Sequence, residues 1–195
     1  LQPPPLPELT WIYQIDRAAG EATFVAHESD FTMTMPLAPM LGTVGVAPAL
    51  REVRTTLVPD YFGGQHGHPP ELRAGTTVYL GVNVDGALFS VGDGHYRQGE
   101  GETCGTALEG AMNVTIVVDL IKGGAPAWPP RLEHDDALLT VGSARPLEDA
   151  WRCSQVEMVR WLTEMYRLGP MDAYQCAASC VSLRWPTSST STTAP

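Results

Sequence analysis

The run from Gly92 to Gly105, G-D-G-H-Y-R-Q-G-E-G-E-T-C-G, constrains this chain more than any other stretch. Its five glycines remove Cβ atoms and open backbone conformations closed to other residues, at a high entropic cost of ordering. Between them stand Asp93, His95, Glu100 and Glu102. Asp93 and His95 are two apart, so in extended backbone both side chains leave the same side, and Glu100 and Glu102 repeat that geometry. Carboxylates and neutral imidazole are the usual oxygen and nitrogen ligands of zinc, manganese or a similar divalent ion. Such an ion can polarise a carbonyl, and a spare glutamate can carry a proton from water to a leaving group. The same composition also suits a solvated turn whose acidic residues face water, and spacing leaves both readings open.

The flanking sequence reads as strands. Val78, Leu80, Val82 and Val84 alternate with polar residues from Thr76 onward, Asp85-Gly86 suits a tight hairpin turn, and Ala87 to Val91 continues as a second strand. After the glycine-rich run, Val114, Ile116, Val118 and Leu120 predict a third strand ending at Gly123-Gly124. Earlier, Trp11, Tyr13 and Ile15, then Phe31, Met33 and Met35, show the same period of two. PLAPMLGTVGVAP (36–48) is too broken by proline and glycine for a helix and is expected as a shaped loop or short strand.

The period then changes. Leu147, Ala150, Trp151, Met158, Trp161, Leu162 and Met165 recur at three- and four-residue spacing over 146–168, with Glu148 and Asp149 placed to complement the helix dipole. Gly169 suits a C-cap, and Pro170 suits the first turn of a second helix to about Leu183. The fold class expected is α+β, mainly β: antiparallel or mixed, sandwich-like sheets with C-terminal helices packed on them. One domain is expected over 1–186, with a disordered Ser/Thr-rich tail over 187–195.

With 195 residues, 44% apolar and 17% charged, the chain is an ordered globular one. A net charge of −10 argues against nucleic-acid backbones and anionic membrane surfaces as partners, and favours small neutral or cationic molecules, or a protein partner. No apolar run is long enough to span a bilayer, and 1–9 lacks the basic and apolar regions of a signal peptide. Four cysteines make no disulfide framework. Cys176 and Cys180, one helical turn apart, could hold a metal or a strained bridge but read better as buried, reduced thiols of a cytoplasmic protein.

Residues 76–123 resemble the central signature of the acetamidase/formamidase family. Gly86-Ala87-Leu88-Phe89-Ser90 is followed by Gly92-Asp93-x-His95, then Gln98-Gly-Glu-Gly-Glu102 and Gly105-Thr-Ala-Leu-Glu109. PLAPMLGTVGVAP matches the family's P-M-x-G-x-[IV]-G-V-A-P block, and MVRWLTEMYRLGPMDAYQ (158–175) its helical region. The resemblance implies hydrolysis of a short aliphatic amide to the acid and ammonia, with a divalent ion, zinc foremost, held by Asp93 and His95. It also implies Glu102 and Glu100 as the catalytic carboxylates, Glu109 supporting from behind, and a homo-oligomer.

Cys104 lies inside the motif and reads as a packing or supporting residue. Where the family has a glycine pair followed by Asn-x-Asp, this chain reads Gly63-Gly64-Gln65-His66-Gly67-His68. Gln65 and His66 are therefore the candidate substrate contacts. His66 or His68 could replace the missing carboxylate as ligands, or both could lie exposed. The resemblance covers the central and C-terminal part of the family's usual length, so a short or truncated member is expected. Two alternatives follow: a non-catalytic binding or assembly module, or an amidase for a larger or cyclic amide.

Overall fold

Periods of two need backbone partners, and the structure, a computed structural model, supplies them by antiparallel pairing throughout. It describes residues 7–65, 70–124, 129–184 and 190–194. The chain forms two compact units, Leu1–Ala38 and Pro39–Pro195.

The first unit is a meander of β1 (Gln14–Asp16), β2 (Glu21–Val25) and β3 (Thr32–Pro36). Asp16 Oδ1 accepts from the Ala18 and Ala19 amides at 2.9 Å each and closes the first turn. Phe24 lies between Tyr13 and Phe31, at ring separations of 5.9 and 6.3 Å. His27 Nε2 bonds Thr10 O at 2.9 Å, and its ring packs on Trp11.

The second unit holds two sheets. One runs in the order β5 (Gly63–Gly64), β4 (Met40–Gly45), β7 (Ser90–Arg97), β8 (Leu108–Glu109). The other runs β11 (Ser182–Arg184), β12 (Thr190–Ala194), β10 (Leu138–Gly142), β9 (Arg131–Glu133), β6 (Thr77–Tyr79). β10 is buried along its whole length. Leu139 and Val141 join Val44, Leu72 and Leu132 in a core between the sheets, while Leu138 joins Met158, Trp161, Leu162, Ala173 and Ala177 beneath the helices. Both faces of β10 are thus covered, and its one polar side chain, Thr140, donates to Ser154 O at 2.8 Å.

α1 (Leu147–Tyr166) buries Ala150, Met158, Trp161 and Leu162 of the expected stripe, while Leu147, Trp151 and Met165 are exposed. Its left-handed C-cap is Arg167, and Gly169 instead caps the N-terminus of α2 (Pro170–Cys180). α1 sits close on β10: a Cβ on Gly142 would overlap the Ala150 carbonyl. Arg131 of β9 reaches the same helix, donating to Glu157 Oε1 from Nε at 2.7 Å and to Glu164 Oε2 at 2.7 Å, over the Trp161 ring. Burial pushes the Glu157 carboxyl up, with Arg131 opposing.

Several expectations are corrected. β6 and β7 do not form a hairpin: β6 pairs with β9, so the segment around Asp85-Gly86 crosses between sheets. The strand expected over 114–121 is not one, and Val117, Val118, Leu120 and Ile121 are exposed. Val114, Ile116, Val118 and Leu120 alternate with a mixed face of Thr115, Val117, Asp119 and Ile121, but among the described residues no strand pairs with the segment. The Ser/Thr tail contains β12, which lies between β10 and β11; threonine suits a strand once an edge is offered. Cys176 and Cys180 are exposed on α2, and no cysteine is bridged.

One link between β6 and β9 can be read by titration. The Tyr79 hydroxyl donates to Glu133 Oε2 at 2.6 Å, and this bond, with desolvation second, pushes the phenol up to about 12 from 10.0. A folded value above the unfolded one means the contribution is complete below pH 10 and is lost as pH rises through about 12. Ultraviolet titration of the folded protein is expected to show one late-ionising tyrosine, absent in Tyr79→Phe. A late phase that persists in the variant would assign it elsewhere.

Candidate metal centre

The glycine-rich run divides where its spacing changes meaning. Its first half continues as β7 through Arg97, and only from Gln98 does the chain turn. β7 pairs with β4 in the register Met40↔His95, Leu41↔Gly94 and Thr43↔Gly92. Gly42 and Asp93 therefore face one another. Asp93 takes a left-handed conformation, φ 62°, which aspartate tolerates better than most residues but at some strain. Its carboxylate folds back over Gly42, where an added Cβ would overlap Oδ2. Gln65 Nε2 donates to Oδ2 at 2.8 Å, and Thr43 Oγ1 at 3.4 Å.

Asp93 Oδ1 lies 3.2 Å from His95 Nε2. The His95 ring is fully buried, and its Nδ1 stands 2.8 Å from Gln98 Oε1. On the far side of β7, β8 pairs Glu109 with His95. Glu109 Oε1 then comes to 3.2 Å from Nε2, while also accepting from the Ala107 amide at 3.0 Å. The approach needs small residues: the Gly110 amide bonds Gly94 O at 2.9 Å, and a Cβ on Gly110 would overlap the Tyr96 ring.

The turn after β7 brings Glu102 back. Its amide donates to Gly99 O at 3.2 Å, its φ is 43°, and its Oε1 stands 3.9 Å from His95 Nε2. Three carboxylates thus converge on one imidazole nitrogen. Asp93, His95 and Glu109 each offer a ligand atom, all within 4.8 Å of one another. Donors around one zinc-like ion sit at about 2.0–2.2 Å from it, so small side-chain shifts would let these three share an ion.

Of the residues expected from sequence, Asp93 and His95 meet directly. Glu102 borders them, whereas Glu100 is exposed on the turn. Glu109 stands in the group itself, not behind it, because the β7–β8 register puts it opposite His95. Gln65 is bonded to Asp93, and His66 lies outside the described residues. Cys104 is exposed and so does not pack; its thiol lies 3.5 Å from Thr106 Oγ1, a bond that lowers its pKa. Sequence reasoning missed Gly42, Thr43 and Gln98. Gly42 and Gln98 stand inside the motifs, but only strand register reveals what they touch.

The Acetamidase/Formamidase family profile matches residues 51–146. An acetamidase of Mycolicibacterium smegmatis is 30% identical over 141 residues, 67% of this chain and 34% of that protein. The crystal structure of an acetamidase from Yersinia enterocolitica superposes with a TM-score of 0.80 at 33% identity, covering 93% of this chain and 53% of that one. A predicted acetamidase/formamidase from Thermoanaerobacter tengcongensis shares the fold, with a TM-score of 0.79 at 24% identity over 94% of this chain and 59% of that one. The chain thus spans about a third of the first relative's length and little more than half of these structures' chains.

The Gly42–Asp93 contact yields a prediction. Gly42→Ala should force the Asp93 carboxylate out of the group while β4 and β7 stay paired. Calorimetric titration with Zn(II) or Mn(II) is expected to show affinity weakened about tenfold or more, with an unchanged far-ultraviolet dichroism spectrum. Wild-type affinity in the variant would show that Asp93 does not need this opening.

Proposed function

Because the chain belongs to the acetamidase/formamidase family, we propose that it carries a metal-dependent amidase site cleaving the C–N bond of a small linear amide, such as formamide or acetamide. The observation that carries this reading is the convergence of Asp93 Oδ1 and Glu109 Oε1 on His95 Nε2, each at 3.2 Å. Two carboxylates and one imidazole suit a catalytic divalent ion, zinc foremost, because three protein ligands leave a position open. When bound, such an ion supplies Lewis-acid polarisation of the amide carbonyl.

The remaining steps fall to the chain's own groups. Asp93, His95 and Glu109 would hold the ion, and Gln65 and Thr43 hold Asp93 in place. Glu102 is the base: it takes a proton from water as the oxygen bonds to the carbonyl carbon, then returns it to nitrogen as the C–N bond breaks. Acid and ammonia leave, and the glutamate is regenerated. Glu100, exposed on the turn, would contact substrate or solvent. His66, by its place after Gln65, would meet the substrate.

Two further parts of the reading concern its setting. No helix among the described residues is long and apolar enough to cross a membrane. Four unbridged cysteines, three of them exposed, suit a reducing compartment such as the cytoplasm. Exposed Val117, Val118, Leu120 and Ile121 form an apolar stretch that a homo-oligomer would cover.

Metal analysis of the purified protein, with ammonia release measured on formamide and acetamide, tests the proposal. A stoichiometric divalent ion and ammonia from either substrate are expected, and Glu102→Gln should lower the rate by about 10²–10⁴ while retaining the ion. Ion bound with no ammonia from any amide would leave a binding protein. Release from a lactam alone would redirect the substrate to cyclic amides.

A further inference from the structure

His95 is held from both ends. Its Nε2 faces Asp93, Glu109 and Glu102, at 3.2, 3.2 and 3.9 Å. Its Nδ1 meets Gln98 Oε1 at 2.8 Å, and both of these side chains are buried. Residues three apart on a regular strand leave opposite faces. Gln98 reaches back under His95 because the β7–β8 pairing shifts register between His95 and Arg97, and because the strand ends at Arg97.

We propose that Gln98 is the positioning residue of the metal centre: by accepting the Nδ1–H of His95 it fixes the ring's tautomer and aims the Nε2 lone pair at the ion. The proposal rests on reading Asp93, His95 and Glu109 as the ligands. A neutral imidazole has one donor nitrogen and one acceptor nitrogen, and the partner of the first decides which nitrogen can ligate. An acceptor at Nδ1 therefore assigns the lone pair to Nε2, the nitrogen that both carboxylates already approach.

A carboxylate could do the same, but it would bring a fourth negative charge to a group that already gathers Asp93, Glu102 and Glu109. An amide oxygen accepts the hydrogen bond without adding charge. Glutamine thus orients the ligand while leaving the total charge at the site to the groups that touch the ion.

The test compares Gln98→Leu, which removes the acceptor at similar volume, with Gln98→Glu, which keeps it. Three readouts are taken: Zn(II) and Mn(II) affinity by competition with a chromophoric chelator, the exchange-protected ring N–H of His95 in the ¹⁵N-labelled zinc-loaded protein, and the thermal midpoint without metal. Gln98→Leu is expected to weaken Zn(II) binding about 10–100-fold and to lose the protected ring proton, with an unchanged midpoint. Gln98→Glu should bind at least as tightly as wild type and keep the proton. Wild-type affinity in Gln98→Leu, or equal weakening in both variants, would overturn the positioning role and leave the ligand assignment standing. Wild-type protein that binds neither ion would overturn both.

Discussion

The site depends on one backbone register, the pairing of β4 with β7. Because Leu41 pairs with Gly94 and Thr43 with Gly92, Asp93 falls opposite a residue with no side chain and can turn left-handed without meeting another Cβ. The same register sets His95 beside Met40, leaving its other edge to β8 and hence to Glu109. A slip of one residue would send His95 and Asp93 to the opposite face. No single hydrogen bond in the centre carries comparable weight, since each forms only after this pairing is correct.

That register gathers like charges. Asp93, Glu102 and Glu109 approach one nitrogen of a fully buried ring. Concentrated carboxylates with reduced access to water destabilise a fold unless something offsets them. Here the local offsets are specific: two donors on Asp93 Oδ2, the Ala107 amide on Glu109, and a neutral amide behind His95. A cation would complete the balance, which is why this arrangement supports a ligand role better than an isolated acidic turn does.

Much of this was legible in sequence, for identifiable reasons. Alternation located β3, and the three- and four-residue spacing located α1 within a residue or two of its ends, whereas the strand expected over 87–91 begins at Ser90 and runs on through the glycines to Arg97. Asp93 and His95 could be paired because extended backbone puts i and i+2 on one side. Glu100 and Glu102 defeated the same rule, because the chain had by then left the strand and a turn sends neighbouring side chains apart. Glu109, Thr43 and Gln98 reach His95 and Asp93 through strand pairing or a register shift, and no local pattern encodes either. The segment 114–121 shows the complementary failure: alternation states a period, and a period needs a partner to become a strand.

Asp93 brings the two arguments together. Its left-handed backbone costs on the order of 1–3 kcal/mol, so the conformation persists only where its surroundings impose it. Hydrogen bonds to a charged group contribute about 1.5–3 kcal/mol each, and the donor from Gln65 at 2.8 Å is well placed to offset that strain. Thr43, at 3.4 Å, adds direction more than strength. The strain and its compensation both belong to the protein alone, with no ion required. Asp93 is therefore held in the group by contacts from Gln65 and Thr43, while Glu109, at the same 3.2 Å from His95, is held by the Ala107 amide.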